Sequence, residues 1–184
     1  RIDAYGAVGG STQLYYGGQG ARIRGDFQLI EGEIIRIVVG QTGNWGPHTQ
    51  STAAKNASGG GGTFVVRSPY NTDASILVIA GGGGGASDGP WHNSAGKNAQ
   101  TGTAGSSGGT SYYVGGTGGW GGGGGLGGGG AGFSGVPGNG YTNPILAKAF
   151  TDGGTNTASY LSGLNHSLGG GGSTNWGTYP NHLS

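Results

Sequence analysis

Residues 76–85 read ILVIAGGGGG, so that an apolar strand signal runs directly into a glycine tract. Five consecutive apolar residues are typical of a strand that is covered on both faces, and we expect Ile76–Ala80 to be central in a sheet. A second tract has the reverse order, because glycines 59–62 lead into the strand signal Thr63–Arg67. Glycine tracts that continue strands in this way are not expected to be free linkers. The pattern predicts that they extend the packed structure.

The longest glycine-rich stretch, residues 115–135, reads GGTGGWGGGGGLGGGGAGFSG and holds 15 glycines in 21 positions. Glycine loses more backbone entropy on folding than other residues, so such a run stays disordered unless specific contacts hold it. Up to residue 130 the exceptions are Thr117, Trp120 and Leu126, which are separated by multiples of three. Polyproline II geometry has three residues per turn and would place these side chains on one face. The spacing predicts short glycine helices of this type, packed in a layer.

The first forty residues contain further strand signals. Ile23, Phe27 and Leu29 alternate with charged and amide residues, which predicts a half-buried strand over residues 22–29. Residues 33–39 are rich in β-branched side chains, and residues 1–7 also alternate. The best candidate for an α-helix, residues 144–150, is too short for more than two turns. We therefore predict an all-β chain with almost no α-helix.

Composition limits the kind of protein. The chain has 184 residues, the length of one domain, with 51 glycines and a net charge of only +1. This weak charge argues against a nucleic-acid partner, and no apolar run is long enough for membrane insertion. Cysteine and methionine are absent, which fits either an oxidation-resistant extracellular material or simple compositional drift in a sequence rich in Gly, Ser, Thr and Asn. Because Arg1 is not an initiator residue, we expect a processed chain or part of a longer one.

Several ordered blocks combine strand signals with glycines. They are AYGAVGG at residues 4–10, GA at 20–21, IVVGQTG at 37–43, GGGGTFV at 59–65, LVIAGGGGG at 77–85 and the tryptophan-bearing run at 118–125. This order resembles the glycine-rich domain of the receptors anaplastic lymphoma kinase and leukocyte tyrosine kinase, and related domains of microbial surface proteins. The resemblance covers residues 3–135 and, more loosely, 169–172. It implies a jelly-roll β-sandwich with an attached layer of polyglycine II helices, displayed outside the cell.

The resemblance also sets the domain layout and a first expectation about assembly. A single glycine-rich domain spans residues 1–184, with its β-core mainly in 1–80 and later strands, and its glycine-helix layer mainly in 59–62, 81–135 and 169–172. Members of the family have a strand before the first block and a closing strand after the last glycine run, and we expect this chain to lack both. The resulting open sheet edge would be completed by a neighbouring copy.

Catalytic and metal-binding patterns do not emerge from the polar residues. The seven acidic side chains show no convergent spacing, and the four histidines lie in loops rich in Gly, Asn and Ser. A zinc site needs at least three converging ligands, so we expect no metal. Because no pattern of catalytic or cofactor-binding residues stands out either, we expect no enzyme activity and no cofactor. Arg24, Gly25 and Asp26 spell the RGD attachment tripeptide, but the strand pattern places both charges on a flat face. A structural role is therefore favoured for them.

Aromatic residues outside the strand signals are the candidate contact residues. Tryptophan and tyrosine on rigid loops can act as sugar platforms or anchors for a partner. They can also cover glycine helices and bury bare backbone; this packing role is favoured for Trp120, and both roles stay open for Trp91. The candidate contact or assembly residues are Trp91, Trp120, Trp176, Tyr112 and Tyr113.

Two sites match the N-glycosylation acceptor, Asn56-Ala57-Ser58 and Asn165-His166-Ser167. Both are expected in loops, which makes Asn56 and Asn165 possible attachment points in an extracellular protein.

These observations favour a non-enzymatic extracellular structural protein, a fibre or matrix subunit that assembles with copies of itself. The alternative is a surface adhesin or receptor-binding module, on a cell or at a phage tip, that recognises a glycan or protein through glycine-helix loops. The composition argues against nucleic acid and membrane insertion in either case. The two classes differ in whether the purified chain polymerises.

Overall fold

The computed structural model describes residues 1–43, 55–88, 95–105, 115–118, 132–134 and 150–152. These residues contain β-strands and two short 3-10 helices, Asp73–Ser75 and Phe150–Asp152, and no α-helix. The strands are β1 (Ile2–Tyr5), β2 (Arg22–Gly25), β3 (Ile35–Val38), β4 (Lys55–Asn56), β5 (Thr63–Arg67), β6 (Ile76–Ala80) and β7 (Ser87–Asp88). Every strand pairing is antiparallel, so the described part of the chain is an all-β structure.

The largest sheet has the strand order β3-β5-β6, beside two-stranded sheets β1-β2 and β4-β7. β5 is central, and its first four residues are buried. β6 lies at an edge among the described strands, so the prediction that it is central is wrong. Its continuous apolar run instead reflects cover on both faces, because its residues contribute to two core clusters.

The first core lies between the β1-β2 sheet and one face of the three-stranded sheet. Val65, Val78 and Ala80 form it together with Ala4 of β1, and all four are buried. Partly buried residues from β2 and its continuation, Ile23 and Phe27, pack against them, as the alternation predicted. Two sheets therefore pack face to face around this cluster.

β2 is shorter than predicted, ending at Gly25 rather than at Leu29. The ring of Phe27 folds back against Gly25, where a Cβ atom would lie 2.6 Å from two ring carbons. Leu29 is 46% exposed rather than core-facing, which corrects the predicted alternation at its last position. Strand pairing therefore ends before the partly buried Phe27 ring.

The second core covers the opposite face of the three-stranded sheet. Phe64 and Val66 of β5 meet Phe133 there, and all three are nearly inaccessible. The ring of Phe150 stacks between Phe64 and Phe133, at centroid distances of 5.3 and 5.4 Å. The backbone amide of Phe150 also donates to the carbonyl of Gly132, at 3.1 Å. Both faces of β5 are thus sealed.

Six extended segments that are not strands form what we call the glycine lattice. They are residues 6–10, 17–21, 40–43, 57–62, 81–86 and 96–99. Four of them directly adjoin the strands β1, β2, β5 and β6, and segment 40–43 follows β3 after one intervening residue. The expectation that glycine tracts 59–62 and 81–85 extend the packed structure is therefore confirmed.

Hydrogen bonds in the lattice repeat every three residues. The amides of Gly6 and Gly9 donate to the carbonyls of Ala21 and Gly18, both at 2.9 Å. Five further pairs of amides, also three residues apart, donate to carbonyls three residues apart. The donors and the residue numbers of their acceptors are Ala7 and Gly10 to 61 and 58, Gly18 and Ala21 to 84 and 81, Ala57 and Gly60 to 86 and 83, Gly83 and Ala86 to 7 and 10, and Gly96 and Ala99 to 16 and 19. The amides of one segment thus return to the same neighbour every third residue, whereas in a β-ladder every second residue bonds the same neighbouring strand.

Glycine is required at many lattice positions because the backbones touch. A Cβ atom at Gly9 would lie 2.0 Å from the carbonyl oxygen of Gly84, and one at Gly6 would lie 1.9 Å from that of Gly81. The Cα–H groups therefore point at carbonyl oxygens, in the manner of weak Cα–H···O hydrogen bonds. Glycine here serves close packing rather than a turn conformation.

Candidate interaction surfaces

The chain reverses at two opposite ends of the described structure. From β1 it runs through segment 6–10, turns, and returns through segment 17–21 to β2; from β2 it runs the other way and reverses before β3. At about 3.2 Å per residue, residues 2–10 extend over ~29 Å. We call the first reversal, residues 11–17, the lattice pole, and the second, residues 28–33, the sheet pole.

The lattice pole is closed by its own hydrogen bonds. Ser11 Oγ accepts from the amide of Gly17 at 3.0 Å, and Thr12 Oγ1 accepts from the amide of Tyr15 at 3.1 Å. The Thr12 amide donates to the Tyr15 carbonyl at 2.8 Å. Thr12 is only 6% exposed, so this loop has a fixed conformation set by short polar side chains.

Two large side chains stand outward on this closed loop. Leu14 is 67% exposed and Tyr16 is 85% exposed. The carbonyl of Tyr16 accepts from the amide of Gly96 at 2.9 Å, which brings the exposed Lys97 to the same end of the molecule. The lattice pole is therefore an apolar tip with the exposed Lys97 beside it.

The sheet pole has a similar construction. The amide of Glu33 donates to the Ile30 carbonyl at 2.9 Å, while the Glu33 carboxylate accepts from the Ile30 amide at 3.2 Å. Gly32 has a φ of +84°, which favours glycine at this turn. Leu29 and Ile30 are 46% and 80% exposed, and Glu31 between Ile30 and Gly32 is exposed as well. This end is an apolar tip that carries the exposed Glu31.

Arg67 of β5 holds the sheet pole against the core. Its Nη2 donates to the Gln28 carbonyl at 3.1 Å, and its Nε lies 3.2 Å from Oε1 of Glu33. The Nε–H group is not aimed at an acceptor, so the contact with Glu33 is an ion pair without a hydrogen bond from that atom. The position of the turn is nevertheless fixed by two contacts.

A third exposed surface runs along β3. No other described strand pairs with the edge of β3 that faces away from β5. Ile34, Ile37 and Val39 are 71%, 62% and 64% exposed along this strand and its ends. On the same strand the Arg36 guanidinium stacks on the Tyr70 ring at 4.0 Å, and the Tyr70 hydroxyl donates to the Ile34 carbonyl at 3.2 Å. We call residues 34–39 the β3 edge.

The outer face of β1 and β2 carries a network of ion pairs. Arg22 and Arg24 both donate to the Asp3 carboxylate, with shortest distances of 2.7 and 2.6 Å. Asp26 is paired with Arg1 at 2.9 Å. Both charged residues of the RGD tripeptide are therefore paired within the chain, Arg24 on β2 and Asp26 just after its end. This pairing supports the structural interpretation of the motif.

These arginines alter the acid–base behaviour of the carboxylates. Hydrogen bonds from Arg22, and then from Arg24, hold the pKa of Asp3 well below its usual range. The hydrogen bond from Arg1 lowers the pKa of Asp26 in the same direction. Both carboxylates therefore stay ionised in mildly acidic solution, as in a solvated ion-pair network.

The five predicted contact residues and one possible glycosylation site lie outside the described residues: Trp91, Trp120, Trp176, Tyr112, Tyr113 and Asn165. Asn56 is described, and it belongs to β4 opposite Ser87 rather than to a loop, which corrects its predicted setting. Strand pairing extends to this position because hydrogen bonds between segments 57–62 and 81–86 hold β4 and β7 side by side. Thr117 forms an isolated antiparallel bridge with Ala104, while its predicted face partner Leu126 is not described.

The described residues hold no candidate metal-binding cluster. No three His, Cys, Asp or Glu side chains converge there to hold a metal ion. In the same residues no helix has the length and apolarity needed to cross a bilayer. Comparisons with protein-family models, curated proteins and solved structures find no match for this chain.

The sequence interpretation did not identify the residues of the two poles as a surface. Leu14 and Ile30 stand outside strand alternation, next to Tyr15 and Glu31 in segments rich in turn residues. The sequence signal that could have indicated this surface was the presence of large apolar residues within otherwise polar turns. Their exposure follows only once the hydrogen-bonded loop geometry is known.

Proposed function

We propose that this protein is a structural subunit that assembles with copies of itself, and that a neighbouring copy completes the β3 edge. The observation that carries the proposal is the apolar, exposed β3 edge. An edge strand presents unpaired N–H and C=O groups, and natural proteins usually protect such edges with charges, proline or short length. Here Ile34, Ile37 and Val39 lie exposed along it, and Arg36 is held against Tyr70.

The proposal includes a scaffold of polyglycine II helices attached to a jelly-roll sandwich. The three-residue repeat of lattice hydrogen bonds supports the helix type, since that geometry has three residues per turn. The two sheets packed face to face support the sandwich. Such a lattice uses backbone bonds rather than side chains, which suits a rigid building block.

An extracellular, non-enzymatic role fits the same features. The chain has no cysteine or methionine to oxidise, and its charged residues amount to 8%. The charged groups that the structure describes on β1 and β2 are paired with each other. These properties support a durable material outside the cell.

The test is a lysine on the β3 edge. Ile37→Lys places a charge on an exposed position, so the fold should persist while pairing with a second strand is blocked. Sedimentation velocity should show that the variant loses the large wild-type assemblies and sediments as smaller species. Thr101→Lys, at an exposed bend outside every strand, is the matched control and should assemble normally. Monomeric wild-type protein at high concentration would reject the proposal.

A second candidate function, a binding module, is favoured by the lattice pole. Rigid loops that present tyrosine are typical of recognition surfaces, since a tyrosine side chain loses little conformational entropy on contact. The closed loop that exposes Leu14 and Tyr16 has this form. A monodisperse protein that binds cell-surface glycans or proteins, and loses binding in Tyr16→Ser, would favour this alternative.

A further inference from the structure

We propose that copies of this chain also contact head to tail, with the lattice pole of one copy docked on the sheet pole of the next. The inference rests on the proposed function, because it names a second contact between the same subunits. The occupant of each pole is another copy, and the contact surfaces are Leu14, Tyr16 and Lys97 on one side and Leu29, Ile30 and Glu31 on the other.

Apolar exposure at both ends is the first argument. Tyr16 and Ile30 are 85% and 80% exposed, and each has an exposed leucine within two residues of it. Monomeric proteins seldom leave such groups in clusters, and clusters of this kind mark interaction sites. A tyrosine and a leucine facing an isoleucine and a leucine can bury their apolar parts together.

Charge complementarity is the second argument. The lattice pole carries the exposed Lys97, whereas the sheet pole carries the exposed Glu31. Two lattice poles would bring lysines together, and two sheet poles would bring glutamates together. Of the contacts between these two exposed charges, only the head-to-tail arrangement pairs opposite signs, and like charges at an interface oppose association.

Preorganisation is the third argument. Ser11 and Thr12 fix the lattice pole, while Glu33 and Arg67 fix the sheet pole. Fixed loops lose little conformational entropy on association. Because the two patches differ and lie at opposite ends, the contact is heterologous and does not close on itself, which leads to a linear filament. Pairing at the β3 edge would then join such filaments side by side.

The absence of cysteine from the chain permits a clean cross-linking test. The double variant Leu14→Cys with Ile30→Cys, oxidised under assembling conditions, should give a ladder of disulfide-linked multimers. Each single variant should stay largely monomeric in non-reducing gels, since equivalent poles do not meet. Leu14→Cys with Thr101→Cys is the control for random collision, because residue 101 lies on the flank beyond segment 96–99.

Charge reversal then tests the specificity of the contact. Glu31→Lys or Lys97→Glu alone should reduce ladder formation about fivefold, the scale of an exposed ion pair, and the two together should restore it. An equal ladder from the Thr101 control, or no restoration by the double reversal, would overturn the pole contact.

The Ile37→Lys background separates this inference from the proposed function. A ladder that persists in that background shows that the poles join independently of the β3 edge. If no ladder forms and Ile37→Lys removes the wild-type assemblies, the pole contact is overturned and the proposed function stands. No ladder and no wild-type assembly would overturn both.

Discussion

The carbonyl oxygen of Gly84 occupies the space that a side chain at residue 9 would need, at 2.0 Å from the position of its Cβ. Gly81 belongs to the same lattice, yet a Cβ there would meet only the Ala99 side chain, at an ordinary 3.8 Å. Two glycines of the same lattice therefore have opposite tolerance. Sequence alone could not separate them, since the contact at each position comes from a segment distant in the chain.

This difference gives a matched pair of substitutions. Gly9→Ala should destabilise the fold by about 2 kcal/mol or more, because backbone must move, and lower Tm by roughly 4–8 °C. Gly81→Ala should be neutral or stabilising by about 0.5 kcal/mol, since it reduces the entropy of the unfolded chain. Thermal unfolding by circular dichroism measures both. Equal effects would mean that the backbones do not touch at residue 9.

Asp3 provides a prediction about pH at the same scale. Its pKa is lower in the folded chain than in the unfolded chain, where it is about 3.9, so the unfolded state binds more protons between the two values. The ion pairs therefore stabilise the fold above about pH 4, and this stabilisation is lost as pH falls further. In Asp3→Asn, Tm should fall less between pH 5 and 2, roughly the window in which the unfolded carboxyl takes up its proton.

Asp73→Asn is the control for that measurement, since Asp73 is an exposed residue without an ion pair in the described structure. Its melting profile against pH should match the wild type. If Asp3→Asn followed the wild-type profile as closely as this control does, the Arg22 and Arg24 contacts would not contribute to folding stability.

At the scale of elements, strands with apolar residues on both faces were the easiest to predict. β5 and β6 have the bounds that the sequence indicated, because their apolar runs end at a turn on one side and at glycines on the other. Their order in the sheet could not be read from those runs, since a strand covered on both faces need not be central. The register shift opposite Val65 and Val66 turns Leu77 toward the first core, and it also leaves no signal in the sequence.

The glycine lattice was predictable as ordered structure, whereas its connectivity was not. A period of three is visible in residues 115–135, but the described lattice uses shorter segments, such as 6–10, whose repeat appears only in the hydrogen bonds. Each segment bonds to neighbours distant in the chain. Such pairing depends on the stacking of whole strands, which local patterns do not contain.

Hydrogen exchange measures the lattice as an element. Because the amides of Gly9, Gly60 and Gly83 donate to backbone carbonyls, we expect them to exchange as slowly as the amides of β5. Gly102, which lies in an exposed bend with open space around its Cα, should exchange rapidly. Fast exchange throughout segments 6–10, 57–62 and 81–86 would contradict a lattice held by backbone hydrogen bonds.

At the scale of the whole molecule, exposed apolar side chains occur at both poles and along the β3 edge. The poles lie about 30 Å apart along the strand direction, and the β3 edge runs between them. This arrangement gives one contact along the strand axis and another across it. A rigid lattice and two fixed turns keep these surfaces in constant relative position, as an assembling subunit requires.

Electron cryomicroscopy of the assembled wild-type protein tests the completion of the β3 edge most directly. The account predicts ordered polymers in which a strand of a neighbouring copy lies about 4.8 Å from β3 and continues its sheet. Discrete monomers at high concentration, or polymers in which residues 34–39 stay unpaired, would contradict it.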